Sequence, residues 1–323
     1  MIKKREPMIY IKLLGNAGNQ FFQYAFARNI QEKNGGHLYI DYEWARTSPI
    51  AWPGCDRQLE DFNIVDYTYV TDEQPSVLIR FILKRMETYK GINSIPINDK
   101  KTYPFYRFCA KYLERFGIYY FGSCYYPYRY TKCNNIYMEG YFESPRYFAD
   151  IDDKICEELK PKYQLLDQNV DLYNKITQRE SVCISIKRMD IENDDVADKY
   201  WYDINYFYNA VKYVKEKVAN PVWIIFSDNI EWCKENFHID GEVYYETSGN
   251  PIWEKIRLMS ACKHFIIHNS TFSWWVQHLS KNKNKIVVAP NQWVYRTDGQ
   301  PTDIYEDNWI FMTNDGEVKE NHD

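Results

Sequence analysis

From Val182 onward the chain alternates short apolar runs with longer stretches of helical spacing, and this alternation narrows the fold more than any other feature. Val182–Ile186, Val222–Phe226, Glu242–Tyr245, Phe265–Ile267 and Ile286–Ala289 read as strands, with helices over Asp203–Val218, Ile230–Asn236 and Ile252–Ala261. Such alternation requires crossover connections, and hence a parallel sheet with helices on both faces. The start of the chain repeats the device. Met8–Leu14 reads as a strand, Gly15–Gln20 as a tight turn, Phe21–Glu32 as a helix and His37–Asp41 as the next strand. Asn135–Met138 and Tyr147–Leu159 continue it as strand and helix, and the polar stretch Lys160–Asn169 then breaks the pattern. The expected architecture is α/β, with two Rossmann-like doubly wound domains over residues 1–165 and 171–323. A helical and aromatic insertion from Pro75 to Tyr130 elaborates the first.

At 323 residues the chain exceeds one compact core, in keeping with two domains. A net charge of −5, with no densely basic segment, excludes a nucleic-acid binder. Aromatic residues reach 18%, which suits sugar stacking, although most such rings belong to cores. Eight cysteines without a C-x-x-C pair read as reduced thiols of a cytoplasmic protein. No run is long and apolar enough for a membrane span, and the N-terminus lacks the pattern of a signal peptide. The basic, aromatic segment from Lys84 to Arg129 reads first as a solvated face and second as a surface for peripheral membrane contact.

Candidate site residues lie where strands end. Asn269-Ser270-Thr271-Phe272-Ser273 follows the strand Phe265–Ile267 and opens a helix expected over Trp274–Leu279. Unpaired amides and hydroxyls at a helix mouth hold phosphate, although hydroxyls there more often only cap the helix. Lys187, Arg188 and Asp190 follow the strand Val182–Ile186. They read either as counter-charge for a leaving diphosphate or as a surface ion pair worth ~0–1 kcal/mol. Ser227 and Asp228 follow another strand, and Asp228 is expected to cap the next helix or to meet a nucleotide hydroxyl. Gly15 and Gly18 permit either a turn or close backbone approach to a ligand. No metal is expected: H-E-x-x-H is missing, and Asp150-Ile151-Asp152, the D-x-D match, opens a helix whose dipole welcomes acidic residues. A G-x-S-x-G elbow and a P-loop are also missing from the sequence.

Taken together, Gly15-Asn16-Ala17-Gly18-Asn19-Gln20-Phe21-Phe22-Gln23-Tyr24-Ala25 and Asn269-Ser270-Thr271-Phe272-Ser273-Trp274-Trp275 resemble the opening and closing motifs of the bacterial α-1,2-fucosyltransferases, glycosyltransferase family 11. Arg57–Ile64, Gly140–Ser144 with Tyr147-Phe148, and Ile225–Asp228 are similar to family blocks in the same order. The resemblance implies a GT-B fold whose two domains face a central cleft, with the nucleotide on the C-terminal domain. It also implies an inverting, metal-independent transfer of L-fucose from GDP-fucose to a hydroxyl, galactose O2, of a surface-glycan or oligosaccharide acceptor. Carried over by residue, Asn269, Ser270, Thr271, Phe272 and Ser273 would hold the donor, with the diphosphate on Ser270 to Phe272. Gly18, Asn19 and Gln20 would face the donor sugar, and Glu254 would stand for an acidic residue that reads the nucleoside. The chain departs from the family pattern H-x-R-R-x-D: Ser185 stands in place of His, Lys187 in place of the first Arg and Met189 in place of the usual Gly, while Arg188 and Asp190 match. Lys keeps the charge but loses the planar fork that grips two oxygens. Asp190 and Glu143 are the candidate bases. A different nucleotide-sugar donor, or a non-catalytic relative that binds GDP or glycan, is the alternative.

Overall fold

Ile9 and Ile11 are fully buried in a strand that needs cover on both faces, as central parallel strands do. In the computed structural model, which describes residues 6–48, 55–70, 81, 103–122, 125–188, 203–293 and 304–319, this strand is β1 (Met8–Lys12). The chain divides between Lys160 and Pro161 into two compact units.

In the first unit, β1 pairs in parallel with β2 (His37–Asp41) and β5 (Asn135–Gly140). β3 (Tyr67–Val70) lies beyond β2, and β4 (Ile118–Phe121) lies beyond β5, giving the order β3-β2-β1-β5-β4. Helix α1 (Ala17–Asn34) crosses from β1 to β2; α2 (Glu43–Thr47), α3 (Tyr103–Leu113) and α4 (Asp152–Glu158) also belong to the described part of the unit. α1 begins four residues earlier than the apolar spacing predicts. Gly15 turns the chain at φ +73°, and the Asn16 carbonyl then accepts the Asn19 and Gln20 amides at 2.9 and 3.1 Å. Gly18, Asn19 and Gln20 therefore lie in the first turns of the helix and not in a loop. A Cβ at Gly15 would come 2.3 Å from Asn19 Nδ2, so this turn requires glycine. The helix expected over Tyr147–Leu159 is broken into two 3₁₀ turns and the shorter α4, with Phe148 in a non-helical backbone state between the turns.

The second unit opens with α5 (Val170–Gln178) and β6 (Ser181–Ile186). There follow α6 (Ile204–Lys217), β7 (Val222–Ser227), α7 (Ile230–Asn236), β8 (Glu242–Tyr245), α8 (Ile252–Ser260) and β9 (His264–Ile266). α9 (Thr271–His278), β10 (Val287–Pro290), β11 (Ile310–Met312) and β12 (Val318–Lys319) end it. The sheet runs β12-β11-β10-β9-β6-β7-β8, parallel except that β12 is antiparallel to β11. Every residue of β6 is buried, and its Val182, Ile184 and Ile186 join Tyr206, Phe207, Ala210 and Val214 of α6 in one core. The buried Tyr206 hydroxyl lies 2.8 Å from the Ile267 carbonyl and 3.1 Å from that of Val288, tying α6 to the residue after β9 and to β10 beside it. Tyr206→Phe leaves the ring but removes the donor. It should cost ~1–3 kcal/mol, read as a lower urea midpoint at unchanged m-value.

Candidate functional site

In a doubly wound sheet, ligands bind outside the carboxyl ends of the two adjacent strands from which the chain winds in opposite directions. In the second unit those strands are β6 and β9. From β6 the chain moves outward through β7 and β8, then returns beside β6 as β9 and continues through β10 and β11. β6 ends by delivering Lys187 and Arg188, and β9 ends by delivering His268, Asn269 and the mouth of α9. Two segments far apart in sequence thus meet at the point where the topology leaves a crevice. A buried hydrogen bond of 2.8 Å between Ser185 Oγ and Ser273 Oγ joins them.

The five residues expected to form a cradle divide by role. α9 starts at Thr271, not Trp274, because Ser270 takes the extended N-cap conformation while its carbonyl accepts the Trp274 amide at 2.9 Å. Its side chain makes no capping bond. Ser270, Thr271 and Phe272 are half-buried at the helix mouth, where first-turn amides point outward along the axis. Ser273 faces inward to Ser185, and buried Asn269 donates from Nδ2 to the Trp293 carbonyl at 2.8 Å. Those two residues build the support under the cradle.

The cations are set from the other side. The Arg188 guanidinium lies 3.7 Å from the centroid of the Trp232 ring, a cation–π contact that fixes its direction. Asp228 Oδ1 accepts the Arg188 backbone N–H at 2.7 Å. The capping role expected of Asp228 belongs to Asn229, whose Oδ1 accepts the Trp232 amide at 3.0 Å. Asp228 instead holds the end of β6 against the end of β7. Ser227 Oγ beside it accepts the Asn229 amide at 3.0 Å. Burial pulls the pKa of Lys187 below that of an ordinary lysine, with Asp228 opposing the shift, and burial likewise lowers Arg188. His268, which sequence reasoning did not single out, lies behind both cations. Burial first, and then the charges of Lys187 and Arg188, lower it from 6.5 to about 3, so the ring stays neutral. Its only sequence signal is its position at a strand end. Met189 and Asp190 lie outside the described residues.

Gly18, Asn19 and Gln20 lie in the other unit, at the carboxyl end of β1. Gln20 Nε2 donates to the Gly15 carbonyl at 3.0 Å, and Gln23 both accepts from the Leu14 amide and donates to the Leu14 carbonyl, at 2.9 and 3.0 Å. These amides clamp the turn, while Asn19 stays half-buried at its rim. Glu143, also half-buried, follows neighbouring β5, just after Phe142, whose φ of 53° is rare outside glycine. The role expected of Glu254 does not match its surroundings. Its side chain is fully buried, and Oε1 accepts from the Leu166 amide at 3.0 Å and from Asn169 Nδ2 at 2.9 Å. With Arg257 3.4 Å from its other oxygen, Glu254 anchors the segment that leads into α5.

The buried imidazole predicts a pH effect whose sign is fixed. As pH falls below 6.5 the unfolded chain protonates His268, whereas the folded chain resists until about pH 3. Stability should therefore fall through that window, approaching about 1.4 kcal/mol per pH unit. Comparing urea unfolding at about pH 7 and about pH 5, His268→Asn should show a shallower loss than the wild type.

Residues 120–313 match the model of glycosyl transferase family 11. An alpha-1,2-colitosyltransferase of Escherichia coli is 26% identical over 317 residues, spanning 94% of this chain and 98% of that protein. A galactoside 2-alpha-L-fucosyltransferase of Caenorhabditis elegans is 30% identical over 176 residues, 50% of this chain and 45% of its own length. Among solved structures, NodZ alpha-1,6-fucosyltransferase co-crystallised with GDP covers 98% of both chains at 11% identity, with a TM-score of 0.50, a likeness of fold. The chain belongs to glycosyl transferase family 11, and is a glycosyltransferase of α/β, GT-B-like fold.

Proposed function

We propose that this enzyme transfers L-fucose from GDP-fucose, with inversion and without a metal, to O2 of a galactose unit in a surface-glycan or oligosaccharide acceptor. The observation that carries this reading is the meeting of two cations, Lys187 and Arg188, with the mouth of α9 at the β6/β9 switch point. The names of the relatives support it: one is an α-1,2 transferase of a 6-deoxy sugar and another acts on galactosides. One solved fold neighbour is a fucosyltransferase crystallised with GDP.

In this reading Ser270, Thr271 and Phe272 offer first-turn amides and hydroxyls to the diphosphate. The acceptor oxygen attacks C1 from the face opposite GDP. The C1–O bond to the β-phosphate breaks, and its electrons leave with the diphosphate. Lys187 and Arg188 then do what a divalent cation does in metal-dependent transferases, offsetting charge as it develops on the departing group. The desolvation that lowers both groups also makes each cation act more strongly on a nearby anion. Asp228 serves by holding the strand end that carries Arg188, with Ser227 beside it. Asn19 faces the donor sugar, and Asp190 or Glu143 takes the proton of the acceptor. Glu254 is not part of the donor site, since its carboxylate is enclosed.

The likeness to a colitosyltransferase favours a second reading, with GDP-colitose as donor. Colitose is fucose without its 3-hydroxyl, so a pocket that hydrogen-bonds that hydroxyl would reject colitose, and an apolar one would accept both. Product analysis with both donors and galactose-terminated acceptors separates the readings. Thermal-shift measurements should show stabilisation by GDP and none by UDP, CDP or dTDP; a preference for another base would end the GDP assignment.

Lys187→Ala should lower kcat by about 10²–10³-fold with little change in acceptor KM. Lys187→Arg should raise kcat above the wild type, because a bidentate fork replaces a point charge. An unchanged rate in Lys187→Ala would remove this residue from the mechanism.

A further inference from the structure

Helix α3 and the 3₁₀ turn that extends it to Phe116 present an unusual face to solvent. Ala110, Leu113 and Glu114 are buried, whereas Phe108, Lys111, Tyr112, Arg115 and Phe116 are exposed. Those five positions follow the spacing i, i+3, i+4, i+7, i+8, a single stripe along the segment. Its rings stand well out, with Phe108 69%, Tyr112 53% and Phe116 57% exposed, although residues of this size are ordinarily covered. Tyr112 and Phe116 pack against each other with centroids 5.3 Å apart, which makes a continuous aromatic surface.

Charge along this segment is sorted just as sharply. Its acidic residue, Glu114, is turned inward at 4% exposure, where one carboxylate oxygen accepts the Arg129 amide at 3.0 Å. Burial pushes that carboxyl above its ordinary value, with the Arg129 amide opposing the shift. The outward face of Phe108–Phe116 therefore carries three aromatic rings, two cations and no anion, on a chain whose net charge is −5. A globally anionic protein that displays this local pattern meets a negative surface favourably in one orientation only.

We propose that this stripe seats the enzyme on an anionic lipid bilayer, with Phe108, Tyr112 and Phe116 entering the interfacial layer and Lys111 and Arg115 pairing with headgroup phosphates. Rings flanked by cations match both layers of that interface, one apolar and one negatively charged. A second copy of the chain fits less well. An isologous contact would set the cations of one stripe against those of the other. Among the described residues no helix is long and apolar enough to cross a membrane, so the attachment is interfacial and reversible. It is independent of the donor and acceptor chosen above.

The test is flotation of the full chain with vesicles of phosphatidylcholine and phosphatidylglycerol, against vesicles of phosphatidylcholine alone. The wild type should float with the mixed vesicles, much less with the neutral ones, and less again at high salt. Lys111→Gln combined with Arg115→Gln should lower the partition coefficient about 30-fold, each cation contributing about fivefold. Phe108→Ser, Tyr112→Ser and Phe116→Ser together should abolish flotation. Because these side chains are exposed, both variants should keep the wild-type circular dichroism, thermal midpoint and transfer to a soluble acceptor. Wild-type protein that stays unbound, equal binding to neutral vesicles, or variants that float like the wild type would each overturn the proposal. So would light scattering that shows a dimer which the triple variant dissolves.

Discussion

Where a parallel sheet reverses its direction of winding, two neighbouring strands send their carboxyl-end loops to opposite faces and leave a crevice between them. The chemistry proposed for the second unit depends on that constraint. Lys187 and Arg188 emerge from β6, Ser270 to Phe272 emerge after β9, and parallel pairing through Ile184 and Ile266 holds the two ends in register. Buried β-branched residues along β6 make this register firm, since a slip of one residue would exchange one packed face for the other. The Ser185–Ser273 bond adds a direct tie between the strand that bears the cations and the helix that bears the cradle.

Much of what looks like binding chemistry in the motifs is scaffold. Gln20 and Gln23 spend their amides on the backbone of the Gly15 turn, Asn269 on the Trp293 carbonyl, Ser273 on Ser185, and Glu254 on the segment before α5. Polar side chains at such depth must be hydrogen-bonded, because an orphaned buried group costs more than a bond returns. The effect is to hold each of these segments rigid within its own unit.

The electrostatics of the switch point follow from the same enclosure. Asp228 accepts the Arg188 backbone amide and its charge opposes the lowering of both cations by burial, while His268 remains neutral. The stacking of Arg188 on Trp232 keeps the guanidinium aimed. Lysine at position 187 carries a charge without the planar fork that an arginine would offer two oxygens.

Local rules written along the chain determined most element types, the parallel character of both sheets and the strand ends that carry Lys187, Arg188 and Ser270, because periodicity and glycine turns act within a few residues; they missed β3, and β4 lies within the stretch read as a helical insertion. They also supported membership of the family, through ordered blocks from Gly15 to Trp275. The sequence misjudged where α1 and α9 begin, since caps depend on backbone states at Asn16 and Ser270 that residue types leave open. It misjudged Asp228 and Glu254 for another reason: a carboxylate acts on whichever donor folding brings near it, here the Arg188 amide and the Leu166 amide, 40 and 88 residues away. Tertiary structure alone decided which hydroxyls of Asn269–Ser273 face outward, that His268 sits behind the cations, and that Glu114 turns inward beneath an aromatic, basic face. Each of those outcomes is a matter of burial, and burial is settled only when distant segments pack together.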